Sequence, residues 1–247
     1  MKHFRWQILF GTSLIALSAL VYIVQIEIFR TPRDTFFYLF QDLAFVPISV
    51  LMVTVIIDQV LRMREKSALL KKLNMVIGAF NSEVGTVLLK SLSSFDADYE
   101  NTRQKLVITS KWSDYEFNVM RKSLQAYDFA MDSRNGDLEE LRNLLVGKRN
   151  FLLGLLENPN LLEHETFTDL LWAVFHLTEE LESRTDIKQL PDSDLRHLSG
   201  DIKRAYGLLI YEWLAYMKHL KNAYPYLFSL AVRTNPFNPE ASPEVRQ

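Results

Sequence analysis

Between Phe36 and Val60 the chain reads FFYLFQDLAFVPISVLMVTVIIDQV, a run with no polar face at either helical or strand spacing. So long an apolar run satisfies its backbone in hydrocarbon only as a helix, and it is expected to cross a membrane over about residues 37–60. Two of its residues resist that reading: the ionisable Asp42 and the helix-breaking Pro47. The ring-bearing cluster Phe36, Phe37, Tyr38 and Phe40 suits an interfacial belt, which places Asp42 roughly 6 to 9 Å below the boundary. At that depth Asp42 reaches headgroups or pairs with Arg30 or Arg33; a pore, proton relay or intramembrane contact is the alternative. Pro47 removes one backbone donor and strains the Leu43 carbonyl, predicting a kink. Asp58 reads as a boundary residue beside the basic cluster.

A second apolar run, about residues 7–27, is interrupted between Ile8 and Ile26 only by Thr12, Ser13, Ser18 and Gln25, and is expected to form another span. A signal peptide cleaved near Ala19 is its rival, but apolar residues continue through Val21 to Val24. Arg62, Arg64, Lys66, Lys71 and Lys72 follow the Phe36–Val60 run against the single Glu65, an excess assigned to the cytoplasmic side. The expected layout is a helical transmembrane hairpin over residues 1–60. The connector lies outside and both termini are cytoplasmic, in a bacterial or archaeal inner or plasma membrane. The basic cluster is read first as a topology determinant and second as an anionic-lipid contact.

The net charge of −2 gives no nucleic-acid signal. With no cysteine there is no disulfide framework, thiolate nucleophile or Cys-ligated zinc. The eight glycines are scattered, leaving no GxGxxG or GxxxxGK cradle, and neither GxSxG nor HExxH occurs. No cofactor and no catalytic residue is nominated.

From Leu61 the pattern stays helical. Leu69, Leu73, Val76, Phe80, Val84, Val87 and Leu88 recur at steps of three and four, predicting a juxtamembrane helix over 61–95 that packs onto the protein's own domain rather than into a coiled coil. Gly78, Asn81, Ser82 and Gly85 weaken its middle and permit a bend. After a polar connection over Ser91–Ser110, amphipathic helices are expected at about Ser113–Ser133, Leu138–Glu157, Leu161–Ser183 and Ser193–Tyr224. Asn135-Gly136, Asp137, Asn158-Pro159 and Pro191-Asp192-Ser193 punctuate them. Tyr226 to Val232 adds a turn or two. The fold class is all-α, with a cytoplasmic bundle over 96–233 and a disordered tail over 234–247.

Carboxylates and imidazoles cluster on two of these helices. Glu165, Asp169, Trp172, His176 and Glu180 share one arc of the third, and Asp194, His197, Asp201 and Arg204 repeat the theme on the fourth. Oxygen and imidazole ligands on facing helices suit iron, manganese or zinc, so Glu165, Asp169, His176, Asp194, His197 and Asp201 are candidate metal ligands. The spacings singled out are His176-x-x-Glu179 and Asp194-x-x-His197, against the plainer reading of a solvated face laced with ion pairs. Glu157, Glu163, Glu165, Asp169, Glu179, Glu180 and Glu182 make one helix acidic, and Lys203, Arg204, Lys218 and Lys221 make the next basic. Mutual attraction within the bundle is the expected use, and docking of a partner the alternative. Tyr206, Tyr211, Trp213, Tyr216, Tyr224, Tyr226 and Phe228 suit core packing better than base stacking.

Taken with the segments QDLAFVPISVLMVTVIID, REKSALLKKLNMVIGAF and HETFTDLLWAVFHLTEEL, the layout resembles uncharacterised two-span integral membrane proteins of prokaryotes with a helical cytoplasmic domain. No activity comes with that resemblance. The expected role is a membrane-anchored helical interaction, sensor or scaffold protein whose partners are the lipid bilayer and a protein partner or second copy, with no nucleic acid. Two alternatives stand: a small oligomeric ion channel or transporter lined by the second span, and a membrane-bound carboxylate/His metalloenzyme.

Overall fold

Helix α1 (Lys2–Phe29) ends at Arg30, whose backbone takes a left-handed φ of 49° while its N–H donates to the Ile26 carbonyl at 2.9 Å. A residue bearing a Cβ pays roughly 1–2 kcal/mol for this conformation, which glycine adopts freely. Pro32 then opens α2 (Pro32–Phe80), where a fixed φ and an absent N–H suit the first helical position. The structure, a computed structural model, describes residues 2–30, 32–159, 161 and 164–245. It divides into two units, Met1–Lys66 and Ser67–Gln247.

In the first unit the apolar side chains of α2 from Leu43 to Leu61 stand exposed. Among the described residues one helical stretch, Pro32–Ser93, contains a segment long and apolar enough to cross a membrane, and none of that segment is buried. Within α1 the described apolar stretch is Thr12–Ile28, shorter than a span, so where two spans are expected one meets the requirement among the described residues. α2 remains helical through Pro47. The hydroxyls of Ser49 and Thr54 donate to the carbonyls of Phe45 (3.1 Å) and Val50 (2.7 Å), so these polar side chains are satisfied within their own helix. Asp58 and Arg62 form an exposed i,i+4 ion pair at 2.9 Å.

The second unit is all-α, with no strand among the described residues beyond one isolated antiparallel bridge. The end of α2 enters its core through Leu73, Ile77 and Phe80. The expected weak point then becomes a π-helical turn, Asn81–Gly85, followed by α3 (Thr86–Ser93). Thr86 donates its backbone N–H and its hydroxyl to the Asn81 carbonyl, and the Asn81 amide donates to Ile77 O at 2.9 Å. Val84 and Leu88 continue the buried stripe, as expected for packing onto the chain's own domain. There follow α4 (Tyr99–Leu106), α5 (Asp114–Gln125), α6 (Leu138–Leu156), α7 (Glu165–Glu182), α8 (Asp192–Ala223) and α9 (Pro225–Arg233). α8 is the central element, packing on α3, α5, α7 and α9, while α6 lies against α7 and α3. Its buried face includes Tyr206, Leu209, Ile210, Trp213 and Met217.

Local chemistry sets most helix starts. Ser113 and Glu116 make a reciprocal capping box on α5, Asp137 accepts from Glu139 and Glu140 at the start of α6, and the His164 ring accepts from Phe167 N–H at 3.2 Å. That His164 cap moves the start of α7 from the expected Leu161 to Glu165. α5 stops at Gln125, well short of the expected Ser133, because the following segment is zipped to residues 95–97. Ala97 N donates to Ala130 O at 2.8 Å and Asp132 N to Phe95 O at 2.9 Å.

The expected disordered tail is corrected at its start. Asn235 is fully buried and its amide donates to Leu106 O at 2.9 Å, while Phe237, also fully buried, meets Trp213 edge-on at 5.3 Å between ring centroids. The lysines of α8 do not seek the acids of α7. Lys203 pairs with Asp128, Lys218 donates to Asn118 at 3.0 Å, and Lys221 donates to the Trp112 carbonyl, while Glu182 of α7 faces Arg149 of α6 at 3.3 Å.

Candidate functional site

α7 and α8 lie side by side in the second unit, and each carries a histidine followed four residues later by an acid: His176-x-x-x-Glu180 and His197-x-x-x-Asp201. A step of four puts both members of each pair on one helical face. The four side chains converge. His176 Nε2 lies 3.8 Å from Glu180 Oε1 and 3.7 Å from Asp201 Oδ2, and His197 Nε2 lies 3.5 Å from Glu180 Oε2 and 3.3 Å from Asp201 Oδ2. One donor atom each from His176, Glu180 and Asp201 falls within a span of 4.8 Å.

Asp201 sits at the bottom of this cluster. It is 3% exposed, and although Arg204 donates to Oδ1 at 3.1 Å, the buried Oδ2 has no hydrogen-bond partner. Burial of a carboxylate oxygen with no donor is costly, so this atom is the unresolved polar group of the site. The imidazoles stand above it, both about half exposed.

A guanidinium organises the far side. Arg184 donates to Asp194 through two parallel bonds, Nε to Oδ2 at 2.7 Å and Nη2 to Oδ1 at 2.6 Å, and through Nη1 to Glu180 Oε2 at 2.8 Å. Its hydrogen bonds hold both the Glu180 and the Asp194 carboxyl below the usual carboxylate range, and the two acids raise Arg184 in turn.

Of the six candidate ligands, the fold therefore brings His176, His197 and Asp201 together. Asp194 is bound by Arg184, and Asp169 lies exposed along a groove of about 480 Å³ with Trp172, His176 and Arg204. Glu165, in the first turn of α7, is eleven positions from His176, roughly 16 Å along the axis. Glu180, rather than the exposed Glu179, stands with His176 and Asp201 as a group that could hold a metal ion. The sequence signal was present as a repeated His-x-x-x-acid step; the i,i+3 spacings obscured it.

Other singled-out residues lie elsewhere. Within the first unit Asp42 lines a groove of about 610 Å³ with Ser18, Tyr22, Gln25 and Tyr38. Pro47 sits within α2, and Arg64, Lys66 and Lys72 are exposed along it. Lys71 borders a cavity of about 290 Å³ in the second unit with Asn74, Gly78, Tyr216 and His219. Burial lowers the His219 pKa there and raises that of Tyr216.

Comparison with known proteins gives two family matches: "MJ1433, N-terminal helical domain" over residues 1–61, and "Uncharacterized protein MJ1433, C-terminal helical domain" over residues 69–233. "Uncharacterized protein MJ1433" of Methanocaldococcus jannaschii is 48% identical over 238 residues, covering 96% of each chain. The chain belongs to the MJ1433 family. No solved structure matches it. The C-terminal MJ1433 domain holds all four residues of the His-carboxylate cluster together with Arg184 and Arg204, and the N-terminal MJ1433 domain holds Asp42 and Pro47.

Proposed function

We propose that this chain is a membrane-anchored helical interaction protein, a sensor or scaffold held by a two-helix hairpin with both termini cytoplasmic. The observation that carries the reading is the apolar segment of α2 in the first unit, which is long and apolar enough to cross a membrane and is wholly unburied. A stretch of exposed Leu, Ile, Val and Phe this long is unstable in water and stable in lipid. Arg62, Arg64 and Lys66 after it favour the cytoplasmic assignment.

Alkaline carbonate extraction of cell membranes tests the anchor. The full chain stays in the pellet, and recovery in the supernatant overturns the proposal. The chain lacks cysteine, so single cysteines placed at Ser67 and Ser242 report topology directly. Both are shielded from an impermeant maleimide in intact cells if the assignment holds, and labelling of either without lysis reverses it.

The groove that Asp42 shares with Ser18, Tyr22, Gln25 and Tyr38 favours a second reading, a small oligomeric channel or transporter. Native mass spectrometry in detergent separates the two. A monomer or dimer supports the tethered interaction domain, whereas a symmetric assembly of four or more whose ion flux in liposomes falls in Asp42→Asn supports the pore.

A further inference from the structure

A neutral imidazole and a buried carboxylate left to themselves settle into an N–H···O hydrogen bond of about 2.7–3.2 Å. Asp201 Oδ2 has two imidazole nitrogens beside it, at 3.3 and 3.7 Å, and bonds to neither. Donors around a tetrahedral cation with bonds of about 2.0–2.1 Å are instead separated from one another by about 3.4 Å. His176 Nε2 lies 3.8 Å from Glu180 Oε1 and 3.7 Å from Asp201 Oδ2, close to that edge length, and one donor atom each from these three residues falls within 4.8 Å, while His197 Nε2 lies 3.3 Å from the same Asp201 oxygen.

From this geometry we infer that His176, Glu180 and Asp201 bind one divalent transition-metal ion, and that His197, 3.3 Å from the same Asp201 oxygen, turns in as the second imidazole ligand when the ion binds. The donor set favours Zn²⁺ over the hard cations Mg²⁺ and Ca²⁺, which prefer oxygen alone and more ligands. Two surrounding groups fit the role of outer supports. Arg204 binds the Asp201 oxygen that faces away from the histidines, and Arg184 fixes Glu180. The half-exposed imidazoles and the adjoining groove past Trp172 leave the ion reachable from solvent. The site lies within the second unit and stands whether or not the chain is anchored in a membrane.

The test uses the full chain in detergent, purified on a tag free of histidine, stripped with chelator and dialysed against micromolar Zn²⁺ with excess Mg²⁺. One zinc per chain by elemental mass spectrometry is expected, and Co²⁺ in its place gives the strong visible absorption of a tetrahedral site. His176→Gln and His197→Gln, both at half-exposed positions that tolerate substitution, and Asp201→Asn each weaken zinc binding by at least about tenfold, while His219→Gln leaves it unchanged. A protein that keeps less than about a tenth of an equivalent of zinc overturns the inference. So does zinc that survives in the His176→Gln/His197→Gln double variant, or zinc lost equally in His219→Gln.

Discussion

Asn81 Oδ1 occupies the space beside Gly85, 2.9 Å from where a Cβ on that glycine would stand. Asn81 cannot swing aside freely, because its amide is held on the Ile77 carbonyl and the whole side chain is buried. The π-helical turn is thus a packed arrangement in which a small residue at 85 and an amide at 81 depend on each other.

Gly85→Ala should destabilise the protein. Helix propensity alone favours alanine by about 1 kcal/mol, but a Cβ at 2.9 Å from a pinned oxygen and 3.2 Å from the Phe80 ring overpacks the core by about 1–3 kcal/mol. A net loss of up to about 2 kcal/mol is expected from thermal unfolding followed by circular dichroism. The Asn81→Ala/Gly85→Ala pair should cost less than the sum of its single changes, since the first removes what the second strikes. Additive losses would show that the two residues act separately.

Phe237→Ala tests the docking of the C-terminal segment. The ring is fully buried against Trp213, so its removal should cost about 3–5 kcal/mol and alter Trp213 fluorescence. Loss below about 1 kcal/mol would mean that the segment is free in solution.

The parts of the fold that could be read in the sequence are those decided within a turn or two of chain. Asp137 caps α6 because its own carboxylate reaches the N–H groups of Glu139 and Glu140, and nothing distant is involved. Leu73, Phe80, Val84 and Leu88 announce a buried stripe by spacing alone. Phe237 could not be placed this way: its environment is made by Trp213, and that of Asn235 by Leu106, far away in the chain. The early end of α5 likewise depends on Phe95 and Ala97 meeting residues 130 and 132. At the candidate site the residue types were legible, but the choice of Glu180 over Glu179 and the loss of Asp194 to Arg184 follow from how α7 meets α8.

Tyr206→Phe should remove an alkaline dependence. The hydroxyl is buried 3.2 Å from Ser93 Oγ, and burial raises its pKa above the usual tyrosine value. A raised folded pKa gives stability that is full below about pH 10 and lost as pH rises through the folded value. The variant should lose about 1 kcal/mol at pH 7 with the hydrogen bond, yet decline less steeply above pH 10. Parallel alkaline limbs for the two proteins would place the dependence on another group.

Asp194→Asn probes the Arg184 clamp without touching the four clustered ligands. Arg184 holds the Asp194 carboxyl below its ordinary range through two short bonds, and the acid is about one-quarter exposed. A depressed folded pKa contributes stability that is present above the unfolded value of about 4 and disappears as pH falls through the folded one. The amide retains the shape but weakens two charge-assisted bonds, so the variant should be less stable by about 1–3 kcal/mol at pH 7. Denaturant unfolding in detergent at pH 7, 5 and 3 should show that gap nearly constant from 7 to 5 and narrowed at 3, below the ordinary aspartate value of about 4, where the carboxyl of the unfolded chain is protonated. A gap equal at all three values would mean that the clamp contributes through packing of the guanidinium rather than through the charge on Asp194.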